Sequence, residues 1–183
     1  MKKIFIGLIF IFFNFNITLN ATILPLLPDF VGYLLISIGA KELIGTSIKF
    51  DNVSAFAKML TIIFIAFFVM DIFGISTAMA QMTLFNWLFG LVVTIIELYL
   101  LYLLTMAVME LKPLMATPGE ADRLYQIFKY HAISAAIASA FIVIVPVLAV
   151  IALIIAVFFA IMYIVIFSRI KNDPQLNVGV VDQ

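Results

Sequence analysis

The chain has 183 residues, 66% of them hydrophobic and 11% charged, with ten basic against ten acidic side chains and a single histidine. A mean hydropathy of +1.28 lies outside the soluble globular range, and the length leaves room for several membrane spans but for no sizeable soluble domain. Zero formal net charge offers no footing for nucleic acid, and the absence of cysteine excludes disulfides, thiol catalysis, Cys-based metal sites and a lipoprotein anchor.

Apolar runs that meet the requirement of about 17–25 residues per span occupy 4–21, 23–40, 59–80 and 84–109. A fifth run, 132–167, would extend roughly 54 Å as one helix, against a hydrocarbon core of about 30 Å. Pro146 lacks a backbone donor and disfavours helical geometry in the residue before it, so the run divides into 132–147 and 148–167. The expected fold is an all-α, polytopic integral membrane bundle of six transmembrane helices. It forms a single transmembrane domain over 1–183, with 168–183 as a mobile cytoplasmic tail.

The basic residues set the orientation. With both termini cytoplasmic, Lys2, Lys3, Lys41, Lys49, Lys58, Lys112, Arg123, Lys129, Arg169 and Lys171 all fall on one side. The outer connections around 19–24, 80–86 and 145–148 contain no Lys or Arg, as the positive-inside rule requires.

In the first run, Lys2 and Lys3 before IFIGLIFIFF also resemble the opening of a signal peptide, but Leu19 stands where cleavage after Ala21 would need a small residue. The run is therefore read as a span. The second carries Pro25, Pro28 and Asp29, and its regular helix is predicted to start near Pro28, because proline suits a first helical turn. Residues 41–58 show no periodic pattern. Thr117, Pro118, Gly119 and Glu120 fit a helix cap, which predicts a helix with Leu124, Ile127, Phe128 and His131 on one face, lying at the inner membrane surface before span five.

Ionisable groups inside spans are costly and mark candidate sites. Asp29, Asp71 and Glu97 each lie roughly 17–18 Å from the inner end of their spans at 1.5 Å per residue, and Asn14 and Asn16 of the first span fall at the same level. These five form the candidate intramembrane polar cluster. In span four Asn86, Gly90, Thr94, Glu97, Leu101 and Thr105 recur every three or four residues, a polar and small stripe directed inward. Asp71, Gly74 and Ala78 in span three repeat it, as do Asp29, Gly32 and Gly39 in span two and Ala132, Ala135, Ala136, Ser139 and Ala140 in span five. Such stripes let membrane helices approach closely.

No Lys, Arg or His is expected at the level of the acids, so they hydrogen-bond one another and Asn14 or Asn16. The leading reading is a non-enzymatic accessory or partner-binding membrane subunit whose polar cluster is structural. The alternative is a small proton- or cation-linked transporter using the intramembrane carboxylates. Asp71 in MDIFG and Glu97 in IIELY lack the pattern of intramembrane aspartyl proteases, and the chain has no phosphate-binding glycine loop and no G-x-S-x-G nucleophile motif. A lone His131 builds no multi-histidine metal site and is read as interfacial, while Phe85 and Trp87 are read as an outer aromatic belt. No catalytic residue, cofactor or metal is assigned. The expected partners are the lipid bilayer, other membrane proteins, and a proton or small ion.

The stretch from Leu8 to Leu43, with FNFNITLN followed by ILPLLPDFVGYLLISIGAKEL, resembles the opening of small uncharacterised multi-pass membrane proteins of low-GC Gram-positive bacteria. In these an Asn-rich first span precedes a Leu-Pro-Asp-Phe, hydrophobic, Gly-Tyr run. The resemblance implies a bacterial cytoplasmic membrane location and a unit over residues 28–33, and it lends no catalytic residues.

Overall fold

The computed structural model describes residues 1–13, 16–19, 22–25, 28–73 and 83–178. Six principal helices follow one another: α1 (Lys2–Phe12), α2 (Asp29–Lys41), α3 (Lys49–Ile72), α4 (Thr83–Glu110), α5 (Gly119–Phe141) and α6 (Pro146–Lys171), with a short α7 (Pro174–Val178) at the end. Between α1 and α2 the strands β1 (Asn16–Leu19) and β2 (Thr22–Pro25) pair antiparallel, Asn16 opposite Pro25 and Leu19 opposite Thr22. Among the described residues, three helices are long and apolar enough to cross a membrane: Lys49–Ile72, the Asn86–Glu110 part of α4, and Pro146–Lys171. Their exposed side chains are large and apolar, among them Ile62, Ile65, Val92, Ile95, Ile154 and Phe158. Water would not tolerate so continuous an apolar surface, whereas lipid tails match it.

The helices close into a ring. Each packs on the next in sequence, and α1 also packs on α6, so the first helix meets the last. Phe12 lies 6.1 Å from Tyr163 between ring centroids, and the Lys171 ammonium sits 4.1 Å over the Phe5 ring. The α1–α2 pair comes together through glycine: a Cβ built on Gly7 would stand 2.5 Å from Gly32 O, and one built on Gly39 would stand 2.9 Å from Ile4 N. The broadest pairing, α5 on α6, uses a line of small residues on α6, with Ala149, Ala152, Ala156 and Ala160 all buried at the spacing of one helical face.

All five ion pairs among the described residues gather at one end of the ring. Lys3 pairs with Glu42, Lys49 with Glu110, Lys112 with Asp122, and Glu120 with both Arg123 and Arg169. At the same end Asp173 joins α6 to the start of α5. Its carboxylate accepts the Ala116 N–H at 3.1 Å, the Thr117 N–H at 3.1 Å, the Thr117 hydroxyl at 3.0 Å and the Gln175 N–H at 3.0 Å. Burial alone would raise this carboxyl's pKa, but those four donors outweigh it and hold the pKa below the usual aspartate range.

Several expectations need correction. The run 4–21 is helical only to Phe12, and the run 23–40 only from Asp29. The intervening FNFNITLNATILPLLP is rich in Asn, Thr and β-branched residues, which compete with or crowd a helix, and its prolines remove donors. Pro28 occupies the N-cap position and Asp29 the first turn of α2, where a carboxylate complements the helix dipole. Residues 49–58, expected to lack periodicity, form the beginning of α3, and Phe50, Val53, Ala57 and Leu60 bury one face. A helix does start at Gly119, but Thr117 does not cap it, since its hydroxyl is engaged by Asp173. Nor is that helix a separate element ahead of span five. It runs unbroken to Phe141, and the face bearing Leu124, Phe128 and His131 is buried in the bundle. The long run 132–167 is carried by α5 and α6, with the break at Ile142–Val145 and Pro146 at the first turn of α6. The tail expected from 168 continues α6 to Lys171 and then anchors through buried Asp173. Residues 179–183 lie outside the described residues.

Candidate functional site

Within the ring lies a partly open cavity of about 320 Å³. Every helix of the ring except α3 contributes to its wall: Phe12 from α1, Tyr33 from α2, Thr94 and Glu97 from α4, His131 and Ser139 from α5, and Ala156 from α6, among others. Glu97 reaches the wall because the α4 stripe turns inward at its lower half, where Leu101 is 4% and Thr105 0% exposed. The upper half does not follow, since Asn86 and Gly90 are exposed and Gly90 has nothing within 4 Å of a built Cβ. The expected close helix contact at Gly90 is therefore not made.

The Tyr33 hydroxyl donates to Glu97 Oε1 at 2.8 Å. Tyr33 itself is fully buried, tilted against Phe64 with centroids 4.7 Å apart. Asp29, one helical turn before Tyr33 on α2, lies within electrostatic reach of both Glu97 and Asp71, with Glu97 the stronger influence. Asp71 is half-buried near the end of α3. Asn16 lies in β1. Asn14, Gly74 and Ala78 fall outside the described residues.

His131, expected at the interface, is instead 9% exposed and lines the same cavity as Glu97. Its Nδ1 lies 3.0 Å from Ala156 O and its ring meets Phe12 edge-on at 5.5 Å. A carbonyl only accepts, so Nδ1 carries the proton, and the neutral ring leaves Nε2 as an acceptor. Trp87, expected to be an interfacial anchor, donates its indole N–H to Ser139 O at 2.9 Å. Thr94 donates to Gly90 O at 2.9 Å and stands 3.1 Å from Ser139 Oγ, and because its single proton is already committed, Ser139 is the donor in that pair. Tyr33 is the participant that sequence reasoning missed, although it belongs to the same DFVGY stretch as Asp29 and stands at i+4 from it on one helix face. Among the described residues no three His, Asp or Glu side chains converge to hold a metal ion.

Compared with protein-family models, with curated proteins and with solved structures, the chain matches none.

Proposed function

We propose that this is a non-enzymatic, multi-pass protein of a bacterial cytoplasmic membrane that binds a proton or small cation in an intramembrane cavity, as a small carrier does. The observation that carries this reading is Glu97, an acid on the wall of a 320 Å³ cavity lined by five helices of the ring, oriented by a buried tyrosine. A carboxyl group so placed is costly and by default marks a functional site, and the cavity has room for about ten waters at ~30 Å³ each.

The proposed topology has six crossings and both termini on the cytoplasmic side. Its support is the collection of ion pairs at one end of the ring, the end to which the positive-inside rule assigns the cytoplasm. Alone, α1 and α2 reach only about 17 and 20 Å. With a four-residue strand of about 13 Å each, the two excursions attain the thickness of the hydrocarbon core. β2 packs against α3, which covers strand backbone that lipid could not satisfy.

The second reading is a partner-binding subunit whose acids are structural. It draws on the Tyr33–Glu97 bond, in which each group already satisfies the other. Single cysteines separate the two, because the natural chain has none. Cys at 94, 101 and 138 is treated with small water-soluble thiol reagents from each side, with Cys at 144 as an exposed control. A carrier labels along the wall from at least one side. A silent wall beside a reactive control refutes the carrier and favours the structural reading. Control cysteines at 45 and 144 test the topology, which requires labelling from opposite faces.

A further inference from the structure

The hydrogen bonds around the cavity have a one-sided remainder. Four side chains on its wall carry a donor hydrogen, and all four are committed: Tyr33 to Glu97, Thr94 to Gly90 O, Ser139 to Thr94, and His131 Nδ1 to Ala156 O. What remains open is acceptor capacity, on the Glu97 carboxyl, His131 Nε2 and the Ser139 hydroxyl oxygen. A proton on Glu97 is the one donor such a wall could offer, and a positively charged guest would replace it. The rest of the wall is apolar, built from Ala135, Ala138, Ala160, Leu153, Val157 and Ile161, with the Phe12 and Tyr33 rings beside it.

Three classes of guest fit this wall poorly. An anion would meet acceptors and a carboxylate. A hard metal ion takes six or more oxygen ligands, and no metal-holding group of His, Asp or Glu is found among the described residues. A purely apolar guest would leave the acceptors without partners, at a cost of roughly 1–3 kcal/mol for each one fully desolvated. A guest with an apolar body and a cationic N–H head satisfies both parts, and aromatic faces add attraction for the cation. Mostly apolar walls with a few placed polar groups, in a volume near 300 Å³, are the usual form of a small-molecule site.

We propose that the cavity binds a small organic ammonium ion, its N–H donors on Glu97 and its apolar body along the alanine-lined wall of α5 and α6. This rests on the cation-binding reading above and narrows it to a ligand class.

The single tryptophan is a built-in reporter, because Trp87 is bonded to the backbone of Ser139 on the wall. The experiment titrates full-length protein in a neutral maltoside detergent with hexylammonium, 1-hexanol and hexanoate at pH 7.5, following Trp87 emission. The expected result is a saturable change with hexylammonium, at least tenfold weaker binding of hexanol and no binding of hexanoate. Glu97→Gln should weaken hexylammonium at least tenfold. Equal affinity for hexanol and hexylammonium, or a preference for hexanoate, overturns the proposal. Should Glu97→Gln fail to elute as a folded monodisperse species, the rank order on the wild-type protein decides alone. Thiol labelling of the wall in the absence of ligand keeps the two levels apart. A labelled wall without ammonium preference overturns the ligand class and leaves the carrier reading standing, while an unlabelled wall overturns both.

Discussion

Replacing Gly7 by alanine tests the geometry on which the ring depends. The new methyl would lie 2.5 Å from Gly32 O, 2.7 Å from Ile36 Cγ1 and 3.1 Å from Ile36 N, well inside the 3.4 Å at which ordinary contact begins. Two of these atoms are backbone of the facing helix, so no rotamer change relieves the clash and α1 must move away from α2. Overpacking of this kind costs about 1–3 kcal/mol, offset in part by the gain of up to ~1 kcal/mol when alanine replaces glycine inside a helix. Gly90→Ala is the internal control. It has the same chemistry in mid-helix but open space around it, so only the propensity gain remains. The propensity gain is common to both, so thermal unfolding in detergent, followed by Trp87 emission, should separate the two variants by roughly 2–12 °C, at about 2–4 °C per kcal/mol for a chain of this size. The double variant Gly7→Ala/Gly32→Ala should lose less than the sum of its parts, because one separation of the helices relieves both clashes. Equal melting temperatures for Gly7→Ala and Gly90→Ala would refute the close approach of α1 to α2.

Further expectations follow from the polar contacts. Asp173→Asn retains one acceptor oxygen but loses the charge that four donors share, and should lower stability at neutral pH by about 1–2 kcal/mol. Because the native pKa of this carboxyl is depressed, its contribution is fully present above the unfolded value near 3.9 and is lost as pH falls through the native value. The two proteins' denaturation midpoints should therefore converge only below about pH 4, and a difference that vanished already at pH 6 would contradict the assignment. Thr105 donates to Leu101 O at 2.7 Å and meets Tyr163 Oη at 3.0 Å, so Tyr163 is the donor in the second bond. Thr105→Val strands a fully buried tyrosine hydroxyl and should cost about 1–3 kcal/mol in chemical denaturation, whereas Tyr163→Phe leaves Thr105 satisfied and should cost less. Tyr33→Phe removes the donor held by Glu97 and should destabilise by about 1–3 kcal/mol, with melting unchanged as the result that would dismiss the pair.

Helices long and apolar enough to cross a membrane could be expected from composition alone, and the α4 stripe directed attention to Glu97, which lines the cavity. The same stripe misled at Gly90, because periodicity gives a face but not the point along it where a neighbouring helix stops. Tyr33 was overlooked for a chemical reason: tyrosine scores with the apolar residues in a span, while its hydroxyl is the group that meets the acid. His131 was read as interfacial because its helix was expected at the inner membrane surface, yet α5 continues straight through and carries the ring into the core. In the opposite direction, Phe50, Val53, Ala57 and Leu60 had the spacing of a buried face, hidden by the Lys, Asp, Asn and Ser between them. No local pattern could reveal that α1 meets α6, because that contact joins residues more than 150 positions apart.

The closure of α1 on α6 bears on how the protein is made. Synthesis delivers α1 before α6, so the helix that completes one flank of the cavity emerges after the other five of the ring. Until then α1, about 17 Å long, is held by its hairpin partner α2 and by the edge-on contact of Phe12 with His131 of α5, and it is shorter than a hydrocarbon core of about 30 Å. Assembly of this fold is therefore not a series of independent steps in chain order. The seating of α1 is completed by α6, and a ribosome stalled before Pro146 would leave the cavity without its α6 wall.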